Sequence, residues 1–167
     1  MQACYKTLGV KFEEKVDITI TSTYPHTHGV QICKGLDAPD RITKETGAIL
    51  MFAPMVKPIP TEFVNSFDQL KDRSLNNPAA YVKQEMGQGK PFLPEKPIEF
   101  NMAMSNVILR PKIRTILVSE LTSEKEARTM GFDYASSVEE GVRLLGGEYP
   151  NARVAIFPSG GLIIPMI

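Results

Sequence analysis

Gln31 and Lys34 stand three residues apart in the run Thr23-Tyr24-Pro25-His26-Thr27-His28-Gly29-Val30-Gln31-Ile32-Cys33-Lys34. A helix there puts an amide donor and an ammonium on one face. Near a helix N-terminus, where peptide dipoles add partial positive charge, such a pair would cradle a carboxylate or a phosphate. On pattern alone the commoner arrangement is a solvated glutamine beside a snorkelling lysine. His26 and His28 are the only histidines in the chain. A His-x-His loop can ligate a metal or move protons near neutral pH. A structural metal site needs about four ligands, and no Cys or His cluster supplies the others. The commoner meaning of such a pair is a polar loop with incidental imidazoles, one of which could still donate a hydrogen bond to a ligand.

Other motifs carry less. Pro158-Ser159-Gly160-Gly161 looks superficially like a phosphate-binding turn, but it lacks the Lys-Ser/Thr of a P-loop and leads into no helix. It reads as a tight turn that needs glycine's φ freedom. Gly87-Gln88-Gly89 lacks the strand–helix setting of a dinucleotide fingerprint. Ser159 has no Gly-x-Ser-x-Gly context for a nucleophile. The acidic residues fall in helix caps and on exposed helical faces. No catalytic residue and no metal ligand is assigned.

The elements that must position these residues follow from periodicity. Strands are expected at Val16 to Ser22, Gly47 to Ala53, Arg114 to Ser119 and Arg153 to Phe157, with a last edge strand over Leu162 to Ile167 because Pro165 cannot donate to a ladder. Helical patterns fill the intervals. Gln31 to Lys44 is split by Pro39, with Asp37 capping the second piece. Further helices run over Thr61 to Leu70, Asn77 to Met86, Glu99 to Leu109, and from Thr122-Ser123 to Gly131. Another begins at Ser137, where Glu140 would reach back to complete a capping box, and runs to Gly146-Gly147. Residues 87–98, with three prolines and two glycines, read as a surface loop or hinge. Met1, Cys4, Tyr5 and Leu8 recur at helical spacing, with Gly9 as a stop. Strands alternating with helices imply one α/β domain over residues 1–167. Its architecture is three-layer and Rossmann-like, a mainly parallel sheet with helices on both faces. Ligands of such sheets gather beyond the carboxyl ends of the strands, which here selects Thr23 to Val30, Pro54 to Pro60, Glu120 to Thr122 and Pro158 to Gly161.

Composition narrows the function. The 167 residues carry 19 basic and 19 acidic side chains, so there is no electrostatic reason to bind nucleic acid. No apolar run approaches the roughly 20 residues of a membrane helix. The N-terminus has no apolar signal core. Two cysteines, Cys4 and Cys33, fit a reducing cytoplasm.

The two ends of the chain together resemble a known family. The succession Phe12 to Ser22, Tyr24-Pro25, Gln31 to Leu36 and Thr46 to Ala53 looks like the start of the C-terminal domain of the nickel-dependent lactate racemase family. Ile116 to Glu120, Met130 to Phe132, Ala135 to Glu140 and Val154 to Gly161 resemble the end of that domain. The resemblance implies a two-lobe enzyme with its active site between the lobes, interconverting the enantiomers of a 2-hydroxy acid. A nickel pincer nucleotide would accept hydride while histidines move the hydroxyl proton. The cofactor's lysine attachment, the nickel ligand and those histidines belong to the family's N-terminal lobe, which this chain does not contain. No cofactor is therefore expected in this chain alone, and by itself it should be inactive. His26 and His28 do not occupy the catalytic positions.

Within the resemblance, Gln31 and Lys34 match a substrate-anchoring Gln-x-x-Lys element. Phe100 matches an aromatic facing the cleft, where tryptophan or histidine is more usual. The loop from Tyr24 to Gln31 is shorter than is common. Tyr24 and His28 complete the candidate substrate-binding set. The expected partners are an N-terminal lobe, on the same precursor or a separate chain, and a small 2-hydroxy acid. Two other readings stand beside this one: a stand-alone, non-enzymatic module for a small anion or a protein, and a metal-binding protein acting through His26 and His28. An exposed apolar patch around Phe100 and Met102 would favour a partner lobe over an independent module.

Overall fold

Alternating β-branched residues make Val16–Ser22 (β2) a strand with two dissimilar faces. Thr19 turns to one side and hydrogen-bonds Thr43 across 2.7 Å, while Ile18 and Ile20 join an apolar cluster on the other. In the computed structural model, which describes residues 6–167, β2 lies next to one edge of a five-stranded, all-parallel sheet. The other strands are Thr43–Phe52 (β3), Arg114–Val118 (β4), Asp133–Ala135 (β5) and Val154–Phe157 (β6), in the order β5-β4-β3-β2-β6. Each parallel pair requires a crossover, and the helices supply it. A 3₁₀ helix over Gly29–Leu36 and a short α1 over Asp37–Ile42 join β2 to β3. Thr61–Arg73 (α2), Pro78–Gly87 (α3) and Ile98–Ile108 (α4) join β3 to β4. Glu124–Thr129 (α5) precedes β5, and Val138–Glu148 (α6) leads to β6.

The two faces of the sheet are covered unequally. Ile49, Met51 and Leu117 point into the main core, where the 3₁₀ helix, α2, α4 and α5 contribute Leu36, Phe63, Met104 and Ala127. The opposite face carries α6 alone, with Leu145 set against Leu50 and Ile116. Beside α6, the edge strand β6 leaves Val154 and Ile156 46% and 65% exposed. The expected three-layer, Rossmann-like arrangement is present, with one layer only a single helix deep.

Several elements differ from expectation. The strand at the end of the chain is Ile164–Met166 (β7), and it does not edge the main sheet. It pairs in parallel with Gly9–Lys11 (β1) in a separate two-stranded sheet, with Pro165 opposite Val10. Neither β1 nor β5 was expected, because three residues carry too little periodicity to register. β3 begins at Thr43, and the β2–β3 register shifts between Val16 and Ile18. Gly47 lies there because a Cβ would overlap the Asp17 carbonyl. Asp37 opens α1, as its first residue and not its cap, and Leu36 at the cap makes no side-chain bond. At α6 the Ser137 hydroxyl accepts from the Glu140 N–H, but the Glu140 carboxylate accepts from the N–H and hydroxyl of Ser136. α6 runs on to Glu148.

Residues 87–98 are neither a free surface loop nor a hinge. Phe92 and Leu93 are buried in the main core, and Asn101 grips Leu93 by both its N–H and its C=O. Arg73 adds a two-pronged bond to Glu95. Met1, Cys4 and Tyr5 of the expected N-terminal helix lie outside the described residues; residues 6–8 are helical and Gly9 opens β1.

Candidate functional site

The loop after β2 is knitted to the turn after β6. Thr23 is buried, its hydroxyl donates to the His26 carbonyl at 3.0 Å, and the His26 N–H donates back to the Thr23 carbonyl at 2.8 Å. The Gly160 N–H donates to the Ser22 carbonyl at 2.9 Å and the Gly161 N–H to the Tyr24 carbonyl at 3.2 Å. Neither glycine has positive φ, so the turn does not use their conformational freedom. They are there for close approach. A Cβ on Gly160 would overlap the Thr21 hydroxyl, and one on Gly161 would meet the His26 ring. The His26 imidazole hydrogen-bonds the Gly161 backbone and lies on the wall of a hollow of about 400 Å³.

Lys34, Asp37, Arg41 and Asn106 also line that hollow. Lys34 reaches it from the 3₁₀ helix, whose Val30, Ile32, Cys33 and Leu36 are buried and whose Gln31 and Lys34 are exposed. Three residues per turn place Gln31 directly in line with Lys34, about 6 Å along the axis. The shared face is therefore present, although the helix is 3₁₀. The dipole expectation is not met, because Lys34 falls in the last turn of that helix. Among the described residues neither Lys34 nor Arg41 has a carboxylate within ion-pair distance. Burial, and after it the charge of Lys34, hold His26 below the ordinary imidazole value; the bond to Gly161 and the charge of Asp37 oppose this. Cys33 is no nucleophile, since burial pushes its thiol up to about 12.

The other candidates lie elsewhere. Gln31 is exposed but does not line the hollow. Tyr24 is 52% exposed, before a cis peptide bond to Pro25. His28 is exposed, with Nδ1 3.1 Å from the Thr27 hydroxyl, and its backbone bridges to Lys57 after β3. Phe100 is buried in the main core, edge-on to Phe63 with ring centroids 5.1 Å apart. The exposed apolar residues near it are Ile98 and Met102.

His26 enters the hollow, where the loop's pattern offered metal, acid–base or hydrogen-bonding chemistry for either histidine without choosing between them. Arg41 had one local signal, its position seven residues beyond Lys34 across two consecutive helical pieces. Asn106 had none, because α4 is brought beside the 3₁₀ helix only by tertiary contact. Among the described residues no three His, Cys, Asp or Glu side chains converge as a metal's donor set would require. The His-x-His loop therefore does not fit a metal site here. No helix among them is long and apolar enough to cross a membrane.

The class these features define is a parallel α/β sheet with a cationic hollow where two strand-end loops meet. No family model matches the sequence, and no curated protein does. Solved structures do match it in fold. The lactate racemase apoprotein from Thermoanaerobacterium thermosaccharolyticum superposes with a TM-score of 0.74 at 17% identity, over 99% of this chain and 39% of that one. A protein from Thermotoga maritima superposes with a TM-score of 0.58 at 13% identity, over 99% of this chain and 40% of that one. This chain thus has the fold of part of a lactate racemase and spans about two-fifths of its length.

Proposed function

We propose that this chain is the substrate-anchoring lobe of a two-lobe, lactate-racemase-type protein, and that Lys34 holds the carboxylate of a small 2-hydroxy acid. The observation that carries this reading is Lys34, without an ion-pair partner among the described residues and lining the strand-end hollow, in a fold shared with part of a lactate racemase. A charge-assisted hydrogen bond of this kind contributes roughly 1.5–3 kcal/mol. Arg41 adds a second cation, Asp37 repels a second anionic group, and Asn106 offers an amide to a hydroxyl. Gln31 is exposed one turn nearer the loop and takes no part in the hollow itself. The residues that line the hollow bind and orient; they do not break the C–H bond.

In a complete enzyme of this type a nickel pincer nucleotide supplies hydride acceptance. The described residues offer no donor set for nickel, so we assign that group to the other lobe. A reducing cytoplasm suits this reading, because the site needs no disulfide.

Amide spectra of the protein titrated with sodium L-lactate test it. We expect saturable shifts at His26, Lys34 and Gly161, and an affinity about tenfold weaker in Lys34→Ala. Normal lactate binding by Lys34→Ala would remove the assignment. Acetate binding as tightly as lactate would favour a stand-alone anion-binding module, since nothing would then read the 2-hydroxyl.

A further inference from the structure

A second hollow, of about 480 Å³, lies at the opposite end of the sheet, where the chain runs into β4 and β5. Its size falls in the range of small-molecule sites. The floor is apolar, with Phe67 from α2 and the half-buried Val107 and Ile108 from α4. The rim is cationic, and its cations are of two kinds. Arg110 is committed to Asp40 and to the Thr115 hydroxyl, and Arg128 to Glu124. Lys71 and Lys112 are exposed, and among the described residues neither has a carboxylate within ion-pair distance. Asp68 is the single carboxylate in the lining. Two free ammoniums less one carboxylate leave one positive charge, which suits a monoanion better than a phosphate dianion. The apolar floor adds affinity only for a ligand with a hydrocarbon body.

We propose that this hollow binds a small organic carboxylate with an apolar body. Lys71 and Lys112 take the anionic end, while Phe67, Val107 and Ile108 cover the remainder. The site is separate from the strand-end hollow and shares no residue with it.

Amide spectra of the full chain titrated with sodium benzoate, with acetate and inorganic phosphate in parallel, test the proposal. We expect saturable benzoate shifts at Asn76, Lys112 and Gly131, with benzoate bound about tenfold or more tighter than acetate. The double variant Lys71→Glu, Lys112→Glu should lose that binding while melting as the parent does, because both side chains are exposed. Equal affinity for benzoate and acetate would overturn the proposal, as would unchanged binding by the double variant, phosphate bound as tightly as benzoate, or no saturable shift. Benzoate shifts confined to Lys34 and His26 would also overturn it, while leaving lactate binding at Lys34 intact. Failure of lactate to bind at Lys34 would leave this site standing.

Discussion

The 3₁₀ helix and α4 pack against each other, yet they use their polar and aromatic residues in opposite ways. α4 turns Phe100 inward against Phe63 and spends the Asn101 amide on Leu93, with both residues buried. The 3₁₀ helix turns Gln31 and Lys34 outward and gives only its apolar side to the core. Phe100 and Asn101 therefore stabilise, whereas Gln31 and Lys34 present, even though α4 also lends Asn106 to the hollow. A residue in the first group should cost stability when removed, whereas one in the second should cost ligand affinity and little else.

Phe100→Ala should have the largest effect, destabilising the fold by about 3–5 kcal/mol through the cavity it leaves. Denaturant unfolding measures it, and a loss within about 0.5 kcal/mol would return Phe100 to the surface and break the comparison. Asn101→Ala should cost less, roughly 1–3 kcal/mol, because it strands the buried N–H and C=O of Leu93. Faster amide exchange across residues 90–96 is its local signature. If exchange there stayed at the parent's rate, the segment would be held by Phe92 and Arg73 instead.

His26 should give the smallest effect, and it sharpens the comparison because the residue lies at the presenting side. Its imidazole titrates below the ordinary value of 6.5. As the pH falls past that value the unfolded chain takes up the proton first. Stability is therefore full above it, declines below it, and levels off once the folded form is protonated too. Melting curves between about pH 7.5 and 5 should show this slope, and His26→Gln should flatten it. An unchanged slope in the variant would assign the acid limb to carboxylates.

Much of the architecture was legible because its causes are local. The alternation of Val16 to Ser22, the apolar run of Gly47 to Ala53, the Asn77-Pro78 start of α3 and the Thr122-Ser123 opening of α5 each act within one turn or strand, and each marks an element that is present. Local signals failed where a residue's role depended on a distant partner. Residues 87–98 look like a loop by their prolines and glycines, but Asn101 and Arg73 pin them and the core takes Phe92 and Leu93. The two glycines after β6 look like a flexible turn, yet it is the approach of Thr21 and His26 that demands them.

The amino-acid sequence by itself determined the order of the longer strands and helices and the pairing of Gln31 with Lys34 on one exposed line. Backbone preference and hydrophobic period are set by residues within a few positions of one another. Only the tertiary structure decided that Lys34 shares a hollow with His26, Arg41, Asn106 and Gly161, and that Phe100 does not. Those residues come from three separate stretches of chain, the β2–β3 connection, the β3–β4 crossover and the turn after β6, and which of them face solvent follows from how the helices stack, a property no single segment carries.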